Sequence, residues 1–469
     1  MTQSHEEPAL SDARGLAVAM ERMLRLAGNR IADHNAESPL VARLTDHIGA
    51  PLHELVQVDH EYRPWEHASL QRGIDAYLAA RSPGAEWFGI SGRHRGHENI
   101  SDMLSGALQN GAYGLGRPDY GTAATGPDTS MEIVTLGLVA AAAPDGAPVV
   151  IGVRPADDFH RTVVASVFAR DRATAAAVRD EIGRLCAEHD VMRGQFLSFG
   201  SSEHHGNALV SFLPRPDLAA ADVILPDGRL EAVEAHVVGI AEHSEQLLKA
   251  GQHLKRGLLL HGPPGTGKTH TVRYLTSRLT GCTVVQLTGP AMQYLDPAVA
   301  LARRLQPAVV IVEDVDLVAE DRDLYEGSQP LLFALLDAMD GTAGDADVVF
   351  MLTTNRVDTL ERALAERPGR VDLAVEIPRP DAEGRLRLLR LYGRELRLDA
   401  DLTKIADRTE GVTASFVKEL VRRAVLVALR DAASVEVLTD DHFDTALGEM
   451  FDPAQSLTRG LLGAAGNEG

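Results

Sequence analysis

The sequence predicts an α/β fold: a parallel sheet covered by helices on both faces, followed by a small helical bundle and preceded by a helical and then an α+β region. Three observations carry this. From residue 217 short apolar runs alternate with helical stretches, a glycine-rich loop follows one of those runs, and beyond residue 379 the pattern is wholly helical. Such alternation argues a parallel sheet whose chemistry sits at the carboxyl ends of its strands. At 469 residues the chain exceeds one hydrophobic core and divides into domains.

Residues 1–113 read as a mainly helical N-terminal region. Val18, Met23, Leu24, Leu26 and Ile31 form a partial amphipathic stripe, and a second helical stretch runs around Leu70 to Ala80. Trp65 and Trp87 are expected to pack in its core or an interface. The Gly/Pro/Thr-rich stretch Gly114 to Ser130 reads as an exposed linker. Residues 131–216 then form an α+β module. Its strands are Ile133 to Ala142, Pro148 to Val153, Thr162 to Arg170, Gln195 to Phe199 and Ala208 to Leu213, with one helix from Ala173 to His189. Glu203-His204-His205 is read as a solvated turn in preference to a metal site.

Residues 217–378 carry the alternating pattern. A helix from Arg229 to Ala250 precedes strands at Leu258, Thr283 to Leu287, Ala308 to Val312, Val348 to Thr353 and Ala374 to Ile377. Residues 379–450 are the helical bundle, and the Gly/Ala-rich residues 451–469 a mobile tail.

Composition excludes several classes. Lysine plus arginine number 46 against 67 aspartates and glutamates, a net charge of −21 that opposes broad binding to nucleic acid or anionic membrane. Two isolated cysteines, Cys186 and Cys282, make neither a disulfide framework nor a metal site, so a reducing, cytoplasmic compartment is expected. Met1 to Leu10 is polar and acidic, without the apolar core of a signal peptide. The most apolar window, Leu136 to Val153, is broken by Pro144-Asp145-Gly146, a hairpin signal that rules out a membrane span.

The chemistry centres on Gly262-Pro263-Pro264-Gly265-Thr266-Gly267-Lys268-Thr269, placed after the apolar run Gly257 to His261. The spacing satisfies Gly-x-x-x-x-Gly-Lys-Thr. Gly265 and Gly267 let the backbone curl so that successive amides point at phosphate oxygens. Lys268 supplies a point charge for the outer phosphates, Thr269 a hydroxyl for Mg²⁺, and the following helix its positive end. The chain has only five lysines, so one at this position is no accident of composition. Downstream, the strand Ala308 to Val312 ends in Glu313-Asp314-Val315-Asp316, adjacent carboxylates suited to a hydrated metal and an attacking water.

With these motifs in place, residues from about Asp222 to Met450 resemble an AAA+ ATPase of the AAA clade. The resemblance implies a parallel αβα P-loop NTPase sheet with a C-terminal helical lid, ATP and Mg²⁺ as ligands, and ATP hydrolysis. Glu313-Asp314 inverts the family's usual Asp-Glu order, as in the mitochondrial Rieske-protein translocase group; by position Glu313 holds the metal water and Asp314 activates the attacking water. Asn355, closing Val348 to Asn355, is similar to the sensor that holds γ-phosphate or water. Arg367 and Arg370, in Arg367-Pro368-Gly369-Arg370-Val371-Asp372, resemble fingers donated to a neighbouring subunit, which implies a homo-oligomeric ring, a hexamer in the family. The resemblance extends the nucleotide contacts to His270, to Ile224, where core packing is the alternative, and to Ala414 within Gly411 to Phe416.

Translocating members place an aromatic and an apolar residue in the ring's pore. Tyr294 and Leu295 match that pair, although Asp296-Pro297 stands where glycine is usual and a packing role is the alternative. The expected function is a chaperone-like motor that remodels, unfolds or disassembles a protein substrate recognised by the N-terminal region, with no membrane partner. Two alternatives stand beside it: a nucleotide-switched assembly scaffold with slow turnover and, third, a DNA-associated remodeller.

Overall fold

The computed structural model of the chain describes residues 19–23, 38–93, 95, 98–109, 111–156, 161–201, 208–316, 335, 337–339, 346–356, 371–430 and 434–452. The stripe residues Val18, Leu24, Leu26 and Ile31, the Glu203-His204-His205 cluster, Arg367, Arg370 and the tail 453–469 lie outside the described residues. Two compact units divide between Val191 and Met192.

The first unit is built on a sheet of seven strands: β1 (Val56–Tyr62), β2 (Trp87–Ser91), β3 (Gly114–Gly116), β4 (Asp119–Ala124), β5 (Ser130–Ala142), β6 (Pro148–Arg154) and β7 (Val163–Ala169). The order is β1-β7-β6-β5-β2-β3 with β4 also on β5, and the pairings are antiparallel. Side chains alternate between faces at the strand period. Val149, Ile151 and Val153 pack with α2 (His67–Arg81) and α4 (Arg172–Glu188) on one face. Val150, Leu138 and Phe168 pack with α1 (Pro39–Ile48) and α3 (Ile100–Gln109) on the other. Gly73 lets α2 approach α4, since a Cβ there would lie 2.4 Å from Cys186 Sγ.

Two expectations are refined. The described part of 1–113 is mostly helix, in α1, α2 and α3, but β1 and β2 interrupt it; each is a short strand between helices, too brief for its period to stand out. The stretch 114–130 is no linker but holds β3 and β4, whose glycines and threonines hide a strand that alternates half-buried and exposed along β5. The predicted hairpin at Pro144-Asp145-Gly146 joins β5 to β6, closed by Ala143 N to Ala147 O at 2.8 Å.

In the second unit the sheet order is β14-β10-β13-β12-β11-β8-β9. Its members are β8 (Phe196–Ser201), β9 (Ala208–Leu213), β10 (Arg256–His261), β11 (Thr283–Leu287), β12 (Ala308–Val312), β13 (Val348–Thr354) and β14 (Leu373–Glu376). From β14 to β8 every neighbour is parallel; β9 alone runs antiparallel, on the edge. The expected boundary at residues 216 and 217 is therefore displaced. Strand pattern identified β8 and β9 but could not say which sheet they join, and β8 lies along β11 through Phe196, Leu197 and Ser198. Arg215, just past β9, fixes the hairpin by donating to the carbonyls of Gly194, Thr276, Leu279 and Cys282.

The predicted helix Arg229 to Ala250 is broken: α5 (Arg229–Glu234) widens into a π turn at Ala235–Gly239 before two short helical segments. Helices α6 (Lys268–Arg278) and α7 (Leu295–Arg304) follow β10 and β11. The terminal bundle comprises α8 (Ala382–Tyr392), α9 (Leu402–Arg408), α10 (Ala414–Ala428) and α11 (Asp440–Phe451) around Phe416, Leu420 and Phe443. Asp381 and Asp401 cap α8 and α9 through their carboxylates. Contrary to the all-helical expectation, a parallel pair, β15 (Arg397–Asp399) and β16 (Val437–Thr439), braces it. No helix among the described residues is long and apolar enough to cross a membrane.

Candidate functional site

Strand β10, second from the edge of the sheet, is all but buried, and it delivers the loop 262–269 between β13 and β14 at its carboxyl end. Gly262 has φ of +143°, and a Cβ there would sit 2.2 Å from Ile377 O, so only glycine lets the chain leave the sheet. Gly267, at φ +112°, turns the loop into α6. Lys268 opens that helix yet is only 6% exposed. Its ammonium donates to Gly262 O at 2.8 Å, Pro263 O at 2.9 Å and Asn355 Oδ1 at 2.8 Å.

All three acceptors are neutral. Burial pulls the Lys268 pKa below the ordinary lysine value, and Asp314 and Asp316 act against that shift from further away. A desolvated cation with neutral acceptors, beside loop amides and a helix N-terminus, fits a phosphate group that brings the missing negative charge.

The acids arrive from β12. Asp314 adopts φ of +51°, the left-handed region that a non-glycine residue enters at a cost. Its amide donates to Thr353 Oγ1 at 3.0 Å, and Oδ1 accepts from Asn355 Nδ2 at 3.1 Å. Since lysine can only donate and an ionised carboxylate only accept, the Asn355 amide has one orientation here. Asn355 is held in turn by Asp316, whose Oδ1 accepts from Asn355 N at 3.0 Å and Thr354 Oγ1 at 2.9 Å.

Glu313 lies on the loop side. Burial and the neighbouring Asp314 push its carboxyl above the usual range, opposed by Arg273 and by hydrogen bonds with the Thr269 and Gln286 side chains. The two residues assigned to the metal, Thr269 and Glu313, are thus in contact. Among the described residues no three His, Cys, Asp or Glu side chains form a protein-only metal cage. Mg²⁺ does not need one, because it keeps waters and takes phosphate oxygens beside one or two protein ligands.

Beside the loop a cavity is lined by Ile224, Leu225, Thr266, Pro378, Leu388 and Ala414. Ile224 and Ala414 therefore face one space together with a loop residue, and Asp227, Asp381, Glu383 and Arg387 add polar groups to its lining that can hydrogen-bond the edge of a flat base. The bundle reaches the loop directly: Ser415 N donates to Gly265 O at 3.0 Å. His270 instead meets the Asp222 carbonyl through Nε2 at 3.0 Å.

Residues 258–379 match the family described as "ATPase family associated with various cellular activities (AAA)", and residues 399–445 match the AAA+ lid domain. The second half of the chain is an AAA+ ATPase module. The family so described is one of ATPases.

The module is 33% identical over 252 residues to an ATP-dependent zinc metalloprotease FtsH of a Synechococcus strain, covering 50% of this chain and 38% of that protein. It is 30% identical over 253 residues to a proteasome-activating nucleotidase of Methanocaldococcus jannaschii, covering 51% and 58%. It is 28% identical over 249 residues to 26S protease regulatory subunit 6A of Caenorhabditis elegans, covering 50% and 57%. The chain thus spans between 38% and 58% of the length of these relatives.

Not every expected residue joins the AAA+ site. Tyr294 ends a short helical turn, half-buried, its ring 6.5 Å from that of Phe199 on β8. Leu295 starts α7 and is 5% exposed. Arg367 and Arg370 fall outside the described residues. Asp316 was given no task by the sequence; the position signals one, since a third acid four residues past the strand can reach the tip of β13. Two further residues carry no local signal: Thr413, whose hydroxyl caps α10 beside Gly265, and Arg394, whose partner is distant in sequence.

Proposed function

We propose that the chain is an ATP-driven remodelling motor that works as a ring and acts on a protein substrate taken up through its N-terminal unit. One observation carries the reading: Asn355 bridges Lys268 and Asp314, so the phosphate cation, the sensor and the candidate base form one hydrogen-bonded unit. In this assignment residues 262–269 bind the phosphates, Thr269 and Glu313 hold hydrated Mg²⁺, and Asp314 orients the attacking water. Ile224 and Ala414 flank the base, His270 supports that wall, and Arg367 and Arg370 act on the adjoining subunit. The printed names of the relatives, an ATP-dependent protease and proteasome nucleotidases, favour a protein substrate.

A second reading, a nucleotide-switched assembly protein, is favoured by the packing of Tyr294 on Phe199 and the burial of Leu295, which leave the pore pair engaged in the core. The Asp314→Asn variant tests both. It should bind ATP with near wild-type affinity and hydrolyse it at least about 100-fold more slowly. A motor should speed ATP turnover when given an unfolded protein and lose that response in the variant. A switch should show slow turnover that substrate leaves unchanged, with oligomer size following the nucleotide in sedimentation. Unaltered hydrolysis in Asp314→Asn would remove Asp314 from the mechanism.

A further inference from the structure

One residue ties three parts of the module together without belonging to the phosphate site. Asp222 ends the helical turn Ala220–Asp222, just ahead of Ile224 in the chain. Its Oδ2 accepts from Ala219 N at 2.9 Å, and its Oδ1 accepts from Arg394 at 2.5 Å. Its carbonyl takes the His270 contact from α6 at 3.0 Å. The Ala219 amide first, and then Arg394, hold the carboxyl below the usual carboxylate range. The Asp222 side chain is 19% exposed and that of Arg394 60%, so the carboxylate is set into the surface while the guanidinium reaches over it.

The cavity for the base explains why this placement matters. Ile224 and Leu225, two and three residues after Asp222, make one wall, and Glu383, Arg387 and Leu388 of α8 make the other. Arg394 lies just beyond the carboxyl end of α8. The pair therefore joins the two walls outside the cavity. Through His270 the same residue is anchored to the helix that starts at the phosphate loop.

The geometry points to the Asp222–Arg394 pair as a latch that holds the lid against the wall formed by residues 224–227 and sets how long an adenine nucleotide is retained. Both are positioning residues, since neither reaches a reacting atom. A base between two walls leaves when the walls separate, and an ion pair spanning them must break in that motion. A half-buried carboxylate facing a planar guanidinium is screened less than a fully exposed pair. The inference rests on the reading of the loop and cavity as a nucleotide site.

The test uses the full chain and methylanthraniloyl-ADP, with the release rate followed by stopped-flow fluorescence. Arg394→Ala and Asp222→Asn should each accelerate release about threefold to tenfold, with no comparable loss of melting temperature. Asparagine keeps an oxygen for the Ala219 amide, so the turn survives in that variant. Arg394→Lys, which keeps the charge, should retain most of the slow release, and Arg394→Glu should be faster than Arg394→Ala through repulsion. In steady state the KM for ATP should rise in step while kcat holds.

Unchanged release in both Arg394→Ala and Asp222→Asn would overturn the latch. So would a series in which Arg394→Lys, Arg394→Ala and Arg394→Glu release equally fast. Lys268→Ala is the separate control: if it keeps the probe with wild-type affinity, the nucleotide site itself has been misread.

Discussion

At the scale of single residues, Glu313 and Asp314 divide two tasks by environment. Asp314 is held by Thr353 and Asn355 in a strained backbone conformation, the kind of cost a fold retains where a side chain must point one way. Glu313 instead bears the burden of burial beside a like charge, which raises its pKa. The sign follows from linkage. An acid whose folded pKa lies above its unfolded value takes nothing from stability while protonated in both states, and loses stability as pH rises through the folded pKa. Above the ordinary glutamate range, keeping Glu313 in its buried place therefore costs the nucleotide-free protein stability. Glu313→Gln should raise the melting temperature of the nucleotide-free protein by about 2 °C at neutral pH. The gain should shrink as pH falls through the raised pKa and vanish near about 4.3, the ordinary glutamate value. The same variant should hydrolyse ATP poorly. Equal melting temperatures at neutral pH would show that burying this carboxylate costs nothing, and the raised pKa would then be no mark of the site.

At the scale of elements, local pattern made some features plain and left others out of reach. Strands β11 and β12 are buried apolar runs bounded by turns, and their predicted limits agree with the structure residue for residue. The glycine-rich turn 262–269 was equally plain, because its glycines answer to backbone geometry that the sequence spells out. Partnership is another matter: β8 and β9 read as strands, but joining β11 is a long-range pairing that no local period encodes. The same holds for Arg215 and its four carbonyls, and for Arg394, which meets Asp222 across the module. The π turn at Ala235–Gly239 was missed because a helix that widens keeps an ordinary helical pattern. The hairpin gives a direct test of the boundary. A fragment beginning at Met192 keeps β8 and β9 on the sheet and should be soluble with one cooperative unfolding transition. A fragment beginning at Asp217 leaves the flank of β11 unpaired and should aggregate or melt well below the longer one. Equal stability of the two would mean that the hairpin is an appendage and that the boundary lies at 217 after all.

At the scale of the whole molecule, the site within one chain supplies the phosphate loop, the acids and Asn355, while the reading of Arg367 and Arg370 requires a second copy. Fingers that reach a neighbour make a head-to-tail interface, which closes only as a ring. An arginine supplied across such an interface is worth about 10³ to 10⁵ in rate, so each defective subunit should silence one interface rather than dilute the activity gently. Lys268→Ala has no competent phosphate site but intact fingers; Arg367→Ala has the reverse. Each protein alone should be nearly inactive, because every interface lacks one half. When the two are mixed equally and allowed to exchange, an interface works only if an Arg367→Ala subunit offers its site to the fingers of a Lys268→Ala neighbour. Random assembly makes that combination about one interface in four, so the mixture should recover up to about a quarter of wild-type turnover if interfaces act independently. Turnover that stays at the level of the separate variants, in mixtures shown by sedimentation to form mixed rings, would place the fingers in the same subunit as the phosphates. Recovery well below a quarter but above either parent would instead measure how strongly neighbouring sites must fire together, and its dependence on the mixing ratio would give the number of adjacent competent interfaces a working ring needs.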